Sequence, residues 1–278
     1  MRVETAAEQL FFSTVRIDTE KSVGTGFIVS HQWDDRNHAA FLVTNKHVVD
    51  GSAQGLLRLH QGEEIDGKLH PSLRKTFDWT ITGEAWDWKG HPEQDIDVAV
   101  LGLGTLFNQL EKSGHQIFFR HIPTSIFPTQ AALEELDAIE GVTFIGYPNG
   151  MFDEANNLPI ARLGSTATPA SVDYCGDPVF LIDASVFPGS SGSPVFICNV
   201  GSWAGRHGVT IGSRLIFLGI LASVFVQHQD GKIRINKAVA SGNSAATFSQ
   251  MIDLGVVFKS RTVLDTILHA LRLEGQAV

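Results

Sequence analysis

The feature that most limits the possible folds of this chain is a recurring pattern of short, alternating apolar runs. Examples are Val15/Ile17, Phe41/Val43 and Phe77/Trp79/Ile81. Alternation with a period of two is typical of half-buried β-strands, and the Gly, Pro, Asn and Asp residues between the runs predict turns. About a dozen such runs predict an all-β barrel or sandwich architecture.

Two segments before the C-terminal residues 262–271 depart from this pattern of alternating apolar runs. Residues 5–12 predict a short helical lead-in, because Thr5 and Glu8 have the spacing of a capping box. Residues 131–139 predict a second short helix within a connecting region that spans residues 104–140.

The tail, residues 262–271, is the clearest helical segment. Its apolar residues recur at i, i+3, i+4 and i+7, and Thr262 with Asp265 matches the capping-box pattern. The apolar positions are Leu264, Ile267, Leu268 and Leu271. This pattern predicts a helix packed on the protein core.

Charge and cysteine content exclude several classes of protein. The formal net charge of −9 argues against a surface for nucleic acid or an anionic membrane, since both need clustered Lys and Arg. No apolar stretch approaches the ~18 residues of a membrane span. The acidic first residues lack the apolar segment of a secretory signal, so the expected location is the cytoplasm. Cys175 and Cys198 cannot make a disulfide framework, while a single bridge between them stays open.

The stretch Phe187-Pro-Gly-Ser-Ser-Gly-Ser-Pro194 has the composition of a catalytic turn. Gly189 and Gly192 allow a tight turn on either side of Ser191. Such a turn can aim the N–H groups of Gly189 and Ser191 at one point, which is the geometry of an oxyanion hole. Taken alone, Gly-x-Ser-Gly is more often a surface turn.

Two upstream residues supply the partners that a serine nucleophile needs. His47 follows the apolar strand Phe41-Leu-Val-Thr44, and a lone histidine at a strand end is usually structural. Asp97 stands directly before the apolar run Val98-Ala-Val-Leu101, with Asp95 two residues earlier. A carboxylate beside a histidine fixes its tautomer and stabilises the imidazolium formed in catalysis.

Four segments in order resemble the trypsin-like (chymotrypsin-fold) serine peptidases, closest to the bacterial high-temperature-requirement type. They are Gly24-Thr-Gly-Phe-Ile28, Thr44-Asn-Lys-His-Val-Val49, Asp97-Val-Ala-Val-Leu101 and Asp183-Ala-Ser-Val-Phe-Pro-Gly-Ser-Ser-Gly-Ser-Pro194. The resemblance implies one peptidase domain of two packed antiparallel six-stranded β-barrels with a C-terminal α-helix. Barrel one would span about residues 10–110, barrel two about 140–260, and the helix about 261–272, packed on barrel two.

The resemblance also implies a serine endopeptidase that acts on proteins or peptides through an acyl-enzyme. Ser191 would be the nucleophile, His47 the general base and Asp97 its orienting acid, with Asp95 as the competitor. The N–H groups of Gly189 and Ser191 would form the oxyanion hole. No cofactor or metal is expected, and the oligomeric state stays open.

Two departures from the family pattern affect activation. The family usually has Asp or Asn at the position of Ser190 and Gly at that of Ser193. Because Ser190 cannot pair with a newly cleaved N-terminus, the resemblance implies an enzyme that needs no zymogen cleavage, or one that loop ordering switches on.

The pocket for the substrate side chain before the scissile bond, called the primary pocket, is expected to be uncharged. Ser185 would lie at its base, where trypsin-like specificity for Lys or Arg needs an acid, and Val224 and Val257 would narrow it. The backbone of Ala222-Ser223-Val224 would pair with an extended substrate as an added β-strand.

Other interpretations of these residues are weaker. The histidines at 60, 70 and 91, or 115 and 121, have no recognised metal-ligand spacing. Gly24-Thr-Gly26 lacks the Gly-Lys-Ser/Thr ending of a phosphate loop, so a turn between strands is preferred. A non-catalytic peptide-binding module and an esterase with the same triad remain as alternatives.

Overall fold

The computed structural model describes residues 2–35, 37–206, 208–232 and 245–276. The N-terminal elements are α1 (Ala6–Ser13), β1 (Thr14–Thr19), β2 (Val23–Gln32), β3 (His38–Thr44), α2 (Lys46–Val49), β4 (Gln54–Ile65), β5 (Lys68–Thr82), β6 (Lys89–Gly90), β7 (Ala99–Gly102), α3 (Gly104–Lys112), β8 (Ile117–Phe118) and β9 (Ile122–Pro123). The C-terminal elements are α4 (Gln130–Glu134), β10 (Gly141–Gly146), β11 (Ile160–Thr166), β12 (Val179–Asp183), β13 (Pro194–Asn199), β14 (Ser202–Gly205), β15 (Gly208–Ile211), β16 (Arg214–Lys232), β17 (Ala245–Lys259) and α5 (Ser260–Leu273).

The predicted all-β fold with a C-terminal helix is confirmed. In the C-terminal half, β10-β11-β12-β17-β16-β13 form a closed barrel of six strands, and β14-β15 form a separate two-stranded hairpin. In the N-terminal half, the strands form a nine-stranded sheet along the path β5-β4-β1-β2-β3-β7-β6, with β8 on β4 and β9 on β2. This half departs from a simple six-stranded barrel because the long β4–β5 hairpin extends its edge and the short strands β6, β8 and β9 add to it.

The helix α5 packs on both halves of the molecule, so the expected packing on the second barrel alone is incomplete. Val263 and Ile267 are fully buried, in one core cluster with Phe27 of β2 and Phe217 of β16. This cluster is therefore a shared core.

The start of α5 also differs from the predicted capping box. The N-cap residue is Lys259, which makes no side-chain cap. Thr262 and Thr266 lie inside the helix, and their buried hydroxyls donate to the backbone oxygens of Lys259 and Thr262. By contrast, the capping box at the start of α1 is present, with Thr5 and Glu8 bonded reciprocally.

Two other sequence expectations change. Gly24-Thr-Gly26 lies inside strand β2, paired with β1, and is no turn. The reason is close packing: a Cβ on Gly24 would overlap Val48, so glycine lets the strand approach that side chain. Helix α3, residues Gly104–Lys112, was not predicted, and α4 is shorter than the predicted 131–139.

Cys175 and Cys198 are free thiols, so they form no bridge with each other. Within the described ranges, no helix is long and apolar enough to cross a membrane.

Candidate active site

The loop that carries Ser191 is a tight turn fixed by its glycines. The N–H of Ser190 donates to the backbone oxygen of Phe187 at 3.0 Å, and Gly189 has a φ of 83°. A positive φ at the third position of a turn is readily adopted only by glycine. Gly192 has a φ of 89°, and a Cβ there would overlap the backbone oxygen of Thr25. Both glycines are therefore required by the backbone.

Thr25 of β2 anchors this loop to the N-terminal half. Its N–H donates to the backbone oxygen of Ser191, and its hydroxyl donates to that of Gly189, both at 3.0 Å. The same hydroxyl accepts from the N–H of Tyr147 at 3.1 Å. The hydroxyl of Thr44, three residues before His47, donates to the backbone oxygen of Thr25 at 2.7 Å. The Ser191 loop thus lies against the strand end that leads to His47.

His47 and Asp97 are joined by two hydrogen bonds. His47 Nδ1 lies 2.5 Å from Asp97 Oδ2, and the backbone N–H of His47 donates to Asp97 Oδ1 at 3.1 Å. The Nδ2 amide of Asn45 donates to the backbone oxygen of Asp97 at 2.7 Å. This geometry puts the proton on Nδ1 and leaves Nε2 as an acceptor. Asp95 is exposed, and among the described residues it makes no hydrogen bond to His47.

The segment before Asp97 is also held in place. His91 is buried, donates its N–H to the backbone oxygen of Val98 at 2.8 Å, and accepts the N–H of Glu93 on Nδ1 at 3.0 Å. Burial lowers the pKa of His91, so its imidazole is neutral and fit for this acceptor role. Lys46 Nζ donates to the backbone oxygen of Glu93 at 2.9 Å, across from His47.

The hydroxyl of Ser191 is hydrogen-bonded to β16 in this structure. Ser191 Oγ donates to the backbone oxygen of Ala222 on β16 at 3.0 Å, and within the described residues it makes no hydrogen bond with His47. A serine hydroxyl changes partner by rotation about χ1 between staggered positions. Catalytic hydrogen bonds are often absent without substrate and form in the complex.

The N–H groups proposed as oxyanion donors are free to bind a substrate oxygen. Among the described residues, neither the N–H of Gly189 nor that of Ser191 donates to a protein group. The hydroxyls of Ser190 and Ser193 are buried, and neither has a hydrogen-bond partner among the residues that the structure describes. Ser190 is 1% exposed, so an acid at that position would need a buried cation beside it.

The pocket residues expected from the sequence are only partly together. Ser185 is exposed, and Ala222 is buried next to Ser191. The backbones of Ser223 and Val224 pair with β17, while their side chains lie outside the described part. Val257 is 0% exposed in the barrel core, so it does not form an open pocket wall as expected.

The histidines considered as metal ligands have other surroundings. In the described ranges, no group of three or more His, Cys, Asp or Glu side chains could hold a metal ion. His60 is buried, with Nε2 3.0 Å from the backbone oxygen of Asn157, and burial lowers its pKa to about 4.

Sequence reasoning missed the residues that position the site. Thr25 and Asn45 bond to backbone atoms that are distant in sequence. The glycines on either side of Thr25 could have indicated close packing there, but they were interpreted as a turn. Arg162 was likewise not identified, although its guanidinium lies over the ring of Phe187.

Comparison with known proteins identifies the family of this chain. A family model described as the trypsin-like peptidase domain matches residues 24–205. A probable periplasmic serine endoprotease DegP-like from Halomonas elongata is 26% identical over 179 residues, which are 64% of this chain and 28% of that protein. The chain thus spans just over a quarter of the length of this relative.

Two solved structures are similar to this chain at low identity. The Rv3671c protease of M. tuberculosis H37Rv, in an inactive form, is 19% identical and has a TM-score of 0.45, with 95% of this chain and 88% of that chain covered. The thermostable serine protease AL20, from an extremophilic microorganism, is 13% identical with a TM-score of 0.44, and 95% and 98% are covered. Because the family match covers more than half of the sequence, the chain belongs to the trypsin-like peptidase domain family.

Proposed function

We propose that this chain is a serine endopeptidase that uses Ser191, His47 and Asp97. The observation that carries the proposal is the pair of hydrogen bonds between Asp97 and His47, which fixes the imidazole with Nε2 free to accept a proton. The Ser191 loop beside it presents the N–H groups of Gly189 and Ser191 without protein acceptors. Together these groups are a nucleophile, a base, an orienting acid and an oxyanion hole.

The reaction follows from these positions in two stages. Ser191 Oγ attacks the carbonyl carbon of the substrate while His47 Nε2 takes the hydroxyl proton, and the N–H groups of Gly189 and Ser191 stabilise the negative oxygen. Collapse of this intermediate breaks the C–N bond, and His47 returns the proton to the leaving amine. Water then attacks the acyl ester with His47 as base, which releases the acid and restores Ser191.

Substrate binding would also free the nucleophile. The backbone oxygen of Ala222 now accepts the Ser191 hydroxyl at 3.0 Å. A substrate strand that pairs with β16 would bring its own N–H to that oxygen. The displaced hydroxyl would then rotate towards His47, so that activation and substrate binding would be coupled.

The deciding experiment is labelling with a fluorophosphonate probe and hydrolysis of a diverse peptide library. We expect stoichiometric labelling of Ser191, abolished in Ser191→Ala and strongly reduced in His47→Ala. Ser202→Ala, which removes an exposed serine of β14 to which no role in the site is assigned, is the matched control and should label normally. Hydrolysis that persists in Ser191→Ala would contradict the proposal.

A catalytically silent peptide-binding module is the second candidate. The observation that favours it is the Ser191 hydroxyl, which is bonded to Ala222 and not to His47. That function would give saturable peptide binding by the wild type, with no probe labelling at any pH from 6 to 9. Labelling of Ser191 would exclude it.

The pocket preference, the domain organisation and the location are also proposals. The exposed, uncharged Ser185 favours small or medium apolar side chains before the scissile bond, and a preference for Lys or Arg in the peptide library would contradict this. We regard residues 1–278 as one peptidase domain. The cytoplasmic location stays a prediction that cell fractionation tests, while the name of the Halomonas relative assigns that protein to the periplasm.

A further inference from the structure

Arg162 joins the Ser191 loop to the wall of the C-terminal barrel. Arg162 lies on β11 directly opposite Phe144 of β10. Its guanidinium carbon is 4.8 Å from the ring centre of Phe187 and 5.5 Å from that of Phe144. Phe187 is the first residue of the turn that holds the oxyanion donors, so one cation contacts both the loop and the barrel.

One nitrogen of this guanidinium is buried in a way that stability does not explain. Arg162 Nη1 is buried and has no hydrogen-bond partner in the part of the chain that the structure describes. Burial lowers the pKa of Arg162, against the opposing effect of the charge of Asp253. A buried donor without a partner costs stability, and apolar residues of similar size are often better tolerated at such places.

The loop lacks the ion pair that could hold it from within. Ser190, which stands where the resemblance places Asp or Asn, is 1% exposed, and its hydroxyl has no partner among the described residues. The loop is anchored through its backbone: Asn149 N–H donates to the oxygen of Pro188 at 2.5 Å, Thr25 binds the oxygens of Gly189 and Ser191, and Gly192 N–H donates to the oxygen of Leu221 at 2.8 Å. None of these bonds involves the side chain of Phe187. The aromatic ring of Phe187 is 38% exposed, and Arg162 covers one of its sides.

We propose that Arg162 is a positioning residue that holds Phe187, and through it the N–H groups of Gly189 and Ser191, in the orientation an oxyanion requires. The inference rests on the proposed peptidase function. A cation over an aromatic face is attracted by the ring quadrupole, most strongly where water is excluded. Arg162 thereby takes the holding role that an ion pair at position 190 would have.

The test compares Arg162→Met, Arg162→Lys and Phe187→Leu for kcat, KM and the rate of Ser191 labelling. Arg162→Met keeps the length and apolar volume but removes the cation, and we expect kcat to fall by roughly five- to thirtyfold with little change in KM. Arg162→Lys keeps a cation and should recover part of kcat. Phe187→Leu should reproduce the loss, and the double variant Arg162→Met/Phe187→Leu should lose no more than either single one.

The matched control is Arg120→Met. Arg120 makes the same kind of contact in the N-terminal half, with its guanidinium 4.3 Å from the ring centre of Phe118. That variant should leave kcat and labelling unchanged. The melting temperature of Arg162→Met should equal or exceed that of the wild type, because the unpaired buried donor is gone.

Amide hydrogen exchange of residues 187–192 gives a reading that needs no activity. We expect these amides to exchange faster in Arg162→Met and Phe187→Leu than in the wild type and in Arg120→Met. Unchanged exchange and unchanged kcat would overturn the role of Arg162, even if Ser191 labels normally. A wild type that does not label would contradict the peptidase function, while the exchange comparison would still decide the role of Arg162.

Discussion

A single hydroxyl joins the two halves of the molecule at the candidate site. The Thr25 side chain accepts from Tyr147 N–H and donates to the oxygen of Gly189, and Thr25 itself is fully buried. Loss of the hydroxyl would leave a buried donor and an acceptor unpaired. Each such group costs about 1–3 kcal/mol.

Thr25→Val tests this anchor with nearly the same shape. We expect the free energy of unfolding to fall by about 2–4 kcal/mol and the labelling of Ser191 to slow, since Gly189 loses a bond. Thr25→Ser keeps the hydroxyl and should stay near the wild type in both urea denaturation and labelling. Equal stability of Thr25→Val and Thr25→Ser would show that the hydroxyl is unimportant.

The two acids near His47 have distinct surroundings, so their variants should differ. Asp97→Asn replaces an acceptor of the His47 Nδ1 proton by an amide that favours the wrong tautomer, and kcat should fall by roughly 10³–10⁴-fold. The exposed Asp95 makes no bond to His47 among the described residues, so Asp95→Asn should change kcat less than about threefold. Steady-state kinetics of the two variants measures these losses, and circular dichroism checks that both variants are folded. A larger loss in Asp95→Asn would reverse the assignment.

The buried His60 should make stability depend on pH. Burial lowers its pKa from 6.5 to about 4. As the pH falls below about 6.5, the unfolded chain takes up a proton that the folded chain refuses. The contribution to stability is therefore complete above pH 6.5 and is lost progressively down to about pH 4, by about 3 kcal/mol.

Urea denaturation between pH 7 and 4.5 measures this effect. His60→Phe removes the titrating group but keeps a ring beside Phe12, whose ring centre lies 5.0 Å from that of His60. Its stability should fall less with pH than that of the wild type. The exposed His38→Asn is the control and should follow the wild type. Parallel curves for His60→Phe and the wild type would contradict the assignment.

At the scale of elements, local patterns predicted which segments form strands and helices better than they predicted where those segments pack. The period-two runs and the tail periodicity gave the strands and α5 because both signals lie within a few residues. The capping box at Thr5 is real, but the same pattern at Thr262 falls inside α5, where its hydroxyl bonds to Lys259. A capping pattern cannot distinguish these cases because tertiary burial decides where the helix begins.

The candidate site shows the same division. His47, Asp97 and Ser191 could be named because each has a characteristic local context. The partners that hold them act across more than a hundred residues or between strands. No local pattern marked Arg162, and the glycines that flank Thr25 did not indicate its bond to Gly189. The direction of the Ser191 hydroxyl towards Ala222 depends on a rotamer, which sequence does not encode.

At the scale of the whole molecule, the helix α5 and the strands of both halves share one core. Ile267 is 0% exposed, in a cluster with Val43 and Val98 from the N-terminal half and Phe196 from the barrel. Because the same side chains bury surface from both halves, neither half should unfold independently. The two halves are therefore expected to behave as one cooperative unit.

Ile267→Ala tests this coupling. The substitution opens a cavity between the halves and should lower the free energy of unfolding by about 2–5 kcal/mol. Tryptophan fluorescence reports mainly the N-terminal half, which carries Trp33, Trp79, Trp86 and Trp88, while labelling of Ser191 reports the loop of the C-terminal half. Both probes should show a single urea transition with the same midpoint, in the wild type and, at lower urea, in Ile267→Ala. The exposed Leu273→Ala, at 59% exposure, is the control and should shift neither midpoint. Two separate midpoints in the wild type would show that each half folds by itself and that α5 belongs to only one of them.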